Sequence, residues 1–76
     1  MEGIQDEFGR NLRNARMAMA QKKDVKVTQV DVAVAVGLSR PTISRFENGY
    51  GNPTLKQIEK LADALNVRPS ELLETD

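Results

Sequence analysis

Residues 37–49 read Gly37-Leu38-Ser39-Arg40-Pro41-Thr42-Ile43-Ser44-Arg45-Phe46-Glu47-Asn48-Gly49. Gly37 lets the chain turn sharply without a Cβ clash, and the Ser39 hydroxyl is placed to accept from the open amides of a following helical turn. A helix beginning at Arg40 has Pro41 in its first turn, where no amide hydrogen is needed, and Gly49 to supply a left-handed cap at its end. On that helix Ile43 and Phe46 fall on one face. Arg40, Pro41, Ser44 and Arg45 fall on the other, with Thr42 and Asn48 at the flanks.

Working outward, Thr54-Leu55-Lys56-Gln57 fits a capping box, and Leu55, Ile58, Leu61, Ala62 and Leu65 form the apolar stripe of a helix ending near Asn66. Tyr50-Gly51-Asn52-Pro53 between them is a loop by composition. Pro69 suits the first turn of a last short helix carrying Leu72 and Leu73. Towards the N-terminus, Ile4, Phe8, Leu12, Ala15 and Met19 recur at three- and four-residue steps, which predicts a helix from about residue 4 to about residue 21. The charged run over residues 21–27 reads as a connection. Residues 28–36, Thr28-Gln29-Val30-Asp31-Val32-Ala33-Val34-Ala35-Val36, pull two ways: valine at every second position is a strand signal, whereas the glycine turn that follows suits a helix end.

The chain of 76 residues is expected to form one domain over 1–76, near the lower limit for a core without disulfides or metal. It contains no Cys and no His, which removes thiol nucleophiles, histidine bases and the usual zinc ligands together. An enzyme is not expected, and no metal or cofactor is called for. The acidic, interrupted N-terminus is neither a signal peptide nor a membrane span, so a cytoplasmic protein is expected. Eleven basic residues balance eleven acidic ones, but the charges are segregated: residues 10–26 carry six bases against one acid, while residues 1–9 and 59–76 are acidic. One face can therefore be basic in a chain of zero net charge.

With Thr28-Gln29 ahead of it, the 37–49 stretch resembles the helix-turn-helix of the lambda-repressor and Cro-like (XRE-type) DNA-binding family, over residues 10 to about 74. The resemblance implies an all-α, five-helix domain with the motif formed by helices 2 and 3. It makes residues 28–36 helical, with Val32, Ala33 and Val36 inward and Val30 and Val34 outward. The connection at 21–27 is longer than the family's usual short turn, and Val30 and Val34 are expected to be covered by Val25 and Val27 within it or by a second subunit.

The same resemblance assigns the site. Side chains at the start of the second motif helix reach base edges in the major groove, which makes Arg40 and Arg45 the direct readers, each able to offer two donors to guanine. Pro41 suits a thymine methyl and Ser44 several bases. Gln29 is expected on a backbone phosphate at the start of helix 2. Ser39, Thr42, Asn48, Tyr50 and Asn52 complete the expected DNA-binding set, the last two by location. Arg16 and Glu47 are expected to form a structural ion pair. One domain reads too few base pairs to mark a genomic site, so a homodimer on a palindrome is expected, with Ser70, Leu72 and Leu73 at its interface. The function implied is sequence-specific binding of double-stranded DNA by a dimeric repressor. The alternative is an antitoxin or other protein-interaction module of the same fold, with a toxin or antirepressor as partner.

Overall fold

The capping groups, not the valine alternation, decide residues 28–36. Thr28 Oγ1 accepts from the Asp31 amide at 3.1 Å, and Asp31 Oδ2 accepts from the Thr28 amide at 2.8 Å, a reciprocal box that opens a helix. Gly37, at φ 73°, closes its other end. Val32, Ala33 and Val36 then line up as one buried stripe, and that packing overrides the strand propensity of the valines.

The computed structural model describes residues 3–75, and within them the chain is all-α: α1 (Ile4–Lys23), α2 (Gln29–Val36), α3 (Arg40–Glu47), α4 (Leu55–Ala64) and α5 (Pro69–Leu72). Four of the helices stop in the same way. Asp24, Gly37, Gly49 and Asn66 take left-handed φ values of 53°, 73°, 84° and 58°. After each, the next amide reaches back five residues: Val25 to the Ala20 carbonyl, Leu38 to Ala33, Tyr50 to Arg45 and Val67 to Ala62, at 2.8–3.1 Å. The first of these corrects the expected end of α1. Lys22 and Lys23 belong to its last turn, where their charges suit the negative end of the helix dipole, and the connection shrinks to residues 24–27.

The core gathers Phe8 and Leu12 of α1, Val32, Ala33 and Val36 of α2, Ile43 and Phe46 of α3, Ile58, Leu61 and Ala62 of α4, with Leu65 and Leu72. Phe8 and Phe46 meet edge to face, with ring centroids 6.1 Å apart. Gly9 is what lets α1 approach α3 so closely. A Cβ there would collide with the Phe46 carbonyl and lie 2.9 Å from that of Glu47.

Three expectations about burial change. Leu55 and Ile4, read as parts of buried stripes, sit on the first turns of α4 and α1 and are exposed, Leu55 by 82%. Leu72, expected at a dimer surface, is 1% exposed and belongs to the core; of two adjacent leucines only one can face inward, and the outward one is Leu73. Val27 packs on the core instead of covering α2, and Val34 is left 76% exposed, with Val25 and Val30 about half exposed.

Candidate nucleic-acid interface

The side of α3 opposite Ile43 and Phe46 carries the groups the sequence singled out. Arg40, Pro41, Arg45 and Asn48 are exposed, and Ser44 is half-buried among them. Asn48 Nδ2 donates to Ser44 Oγ at 3.4 Å, so these two polar side chains form one surface. The Arg45 guanidinium has no hydrogen-bond partner among the described residues, which leaves its donors available to an external acceptor.

Beneath it, a continuous polar network fixes the helix. Arg16 of α1 donates through Nε to Glu47 Oε2 at 2.7 Å, through Nη2 to Glu47 Oε1 at 2.9 Å, and through Nη1 to the Val27 carbonyl at 2.9 Å. The fork is bidentate and the Glu47 side chain is only 3% exposed. Glu47's hydrogen bonds and charge outweigh partial burial and hold the Arg16 guanidinium above its ordinary pKa. Gln29, at the start of α2, donates to Glu47 Oε1 at 3.1 Å and accepts from Arg40 Nη1 at 3.2 Å. One chain of hydrogen bonds thus runs from α1 through α3 to α2 and out to Arg40. The residue expected on a phosphate and a residue expected on a base are bonded to each other.

The remaining expected residues divide. Ser39 caps α3: its Oγ accepts from the Thr42 amide at 3.3 Å and meets Thr42 Oγ1 at 2.8 Å, so both hydroxyls are engaged locally. Tyr50, just past the end of α3, is exposed. Asn52 Oδ1 accepts from Gln5 Nε2 at 3.0 Å, tying the loop after α3 to α1. Ser70 and Leu73 lie on the surface at α5, away from the α3 outer face. Asn11, which the sequence did not single out, donates to the Leu72 and Glu74 carbonyls at 3.1 and 2.8 Å and holds the end of the chain to α1.

Sequence reasoning also passed over a cleft beside the end of α3. Asp6, Arg10 and Arg13 of α1 line it together with Glu47 and Asn48. The basic run over residues 10–26 was its only signal. Among the described residues, no group of carboxylates is arranged to hold a metal ion, and no helix is long and apolar enough to cross a membrane.

The known proteins that resemble this chain agree in kind. A helix-turn-helix family model matches residues 19–72. The crystal structure of the restriction-modification controller protein C.AhdI from Aeromonas hydrophila superposes with a TM-score of 0.75 at 37% identity, covering 90% of this chain and 94% of that one. The transcriptional repressor RstR of the cryptic phage CTXphi in Vibrio cholerae is 36% identical over 52 residues, 68% of this chain and 46% of its own length. Antitoxin HigA1 of Mycobacterium tuberculosis is 35% identical over 68 residues, 90% of this chain and 44% of its own length. The chain therefore spans less than half of each of these last two proteins. Its match to the helix-turn-helix model runs from late α1 to the end of α5 and includes the turn at Gly37 and the whole of α3. The chain belongs to the XRE-type helix-turn-helix family, the lambda-repressor and Cro-like group.

Proposed function

We propose that this chain binds double-stranded DNA sequence-specifically as a homodimeric transcriptional regulator in the cytoplasm, with α3 in the major groove and repression by occupancy as its mode of action. The observation that carries the reading is the division of α3: Ile43 and Phe46 face the core and Glu47 is clamped by Arg16, while Arg40, Pro41, Ser44, Arg45 and Asn48 face outward on one surface. Arg40 and Arg45 supply bidentate donors, each discriminating a base by about 1–3 kcal/mol. The likeness to a repressor and to a restriction-modification controller points the same way.

The test is selection from random duplex DNA, run in parallel with the double variant Arg40→Ala/Arg45→Ala. Enrichment of a palindrome with half-sites about 34 Å apart, lost in the variant, is the expected result. Both arginines are exposed, but Arg40 is bonded to Gln29, so the melting temperature of the variant is measured alongside to show that it keeps its fold. No enrichment by folded protein would overturn the reading.

A second reading has its own support. The likeness to antitoxin HigA1 spans 90% of the chain, and Val30 and Val34 present apolar surface on α2. A protein partner there would bind with little dependence on salt, whereas phosphate neutralisation makes DNA affinity fall steeply with it.

A further inference from the structure

We infer that Arg13, on α1 and outside the helix-turn-helix itself, is a phosphate-binding residue that grips the DNA backbone beside the C-terminal end of α3. The inference rests on the DNA-binding reading above and extends its contact surface to a third helix.

The placement follows from the periodicity of α1. Leu12 and Phe8 point into the core, Arg16 and Gly9 point at α3, and Arg13 lies on the opposite shoulder from Phe8. Gly9 removes the side chain that would hold the two helices apart, so α1 lies against the last turn of α3 and Arg13 rides at its rim. There it lines the cleft shared with Glu47 and Asn48, and Asn48 belongs to the outer face of α3. The shoulder that carries Arg13 is thus the one turned towards the surface that enters the groove.

The electrostatics suit an anion. Glu47 is neutralised from below by the two-pronged contact with Arg16 and offers the cleft no free charge. Asp6 is the acidic member that remains; its Oδ2 accepts from the Gly3 amide at 3.0 Å, and its other oxygen lies against Gly49. The Arg13 side chain is exposed and has no hydrogen-bond or ion-pair partner among the described residues. A guanidinium held at a rim with its donors uncommitted matches a phosphate oxygen pair in shape and charge. A contact with phosphate positions the protein without reading sequence.

The test measures the affinity of the full chain for its selected duplex and for a scrambled duplex at several salt concentrations, with wild type, Arg13→Ala and Arg13→Lys. Loss of one phosphate contact lowers the slope of log affinity against log salt by about 0.9 and weakens binding roughly eightfold at ~0.1 M salt. Arg13→Ala should show both changes on both duplexes and enrich the same motif as wild type, and Arg13→Lys should recover most of the slope. An Arg13→Ala slope equal to wild type on a duplex that wild type binds would overturn the inference alone. Wild type without salt-dependent binding to any duplex would overturn the DNA reading and this inference with it. An unchanged melting temperature in Arg13→Ala separates lost contact from lost fold.

Discussion

Arg16 holds together three segments that are distant in sequence, through Glu47 and the Val27 carbonyl. Cutting it to alanine leaves an almost fully enclosed carboxylate with a hydrogen bond from Gln29 in place of its ion pair, a situation that commonly costs about 3–5 kcal/mol. Urea denaturation of Arg16→Ala should show a loss of that size, with DNA affinity falling as a consequence; an unchanged midpoint would refute the structural role. The two adjacent leucines of the C-terminal segment make a matched pair of tests. Leu72→Ala opens a cavity in the core and should cost about 2–5 kcal/mol. Leu73→Ala should cost far less in folding and, if α5 lies at the proposed dimer interface, should shift the sedimentation equilibrium towards monomer. Equal thermal stability of the two variants would contradict the burial assignment.

Elements here are set by their ends. Asp24 adopts a left-handed conformation that an L side chain pays for, and it places an acid at the negative end of α1. Asp24→Gly removes both penalties and should raise stability by up to about 1 kcal/mol, measured by thermal melting. At the start of α2, hydrogen bonds from the Thr28 amide and hydroxyl hold the Asp31 carboxyl below its ordinary value of 3.8. A depressed carboxyl stabilises the fold above that value and loses the effect as pH falls through its folded pKa. The melting temperature of Asp31→Asn should therefore lie below wild type at neutral pH, with the gap closing as the pH falls below 3.8; a gap that is constant with pH would show the charge to be irrelevant. These ends also explain what the sequence disclosed. Ser39, Thr54 and Gly49 announce α3 and α4 through short-range chemistry, so those boundaries and the outward set on α3 were legible. The valines of α2 left the residues alone ambiguous because their alternation is local while their helix is settled by caps and by packing on α3 and α4. The end of α1 was hidden because Asp24 does the work usually done by glycine. Leu55, Leu72 and Arg13 depended on which neighbours cover each position, and periodicity along one helix carries no information about the helices beside it.

At the scale of the molecule, acidic ends and a basic middle give a chain of zero net charge with an internal separation of charge. Such a molecule is oriented by the field of DNA yet lingers little on phosphate alone, so its affinity for random duplex should be weak beside that for its selected site. The exposed valines of α2 offer the other whole-molecule test. Val34→Ser alters only surface and should leave both melting and DNA binding within experimental error of wild type; a marked loss of DNA affinity would show that this face joins the assembly on DNA. The two-sidedness of α3 has a further bearing, on descent. Ile43, Phe46 and Glu47 answer to the fold, whereas Pro41, Ser44 and Arg45 answer to whatever lies outside it. Substitutions in the second group leave the first untouched, so a lineage can drift from one target to another in small, viable steps. Arg40 is the exception: its bond to Gln29 links the outer face of α3 to the buried network, and a change there has to be tolerated by both.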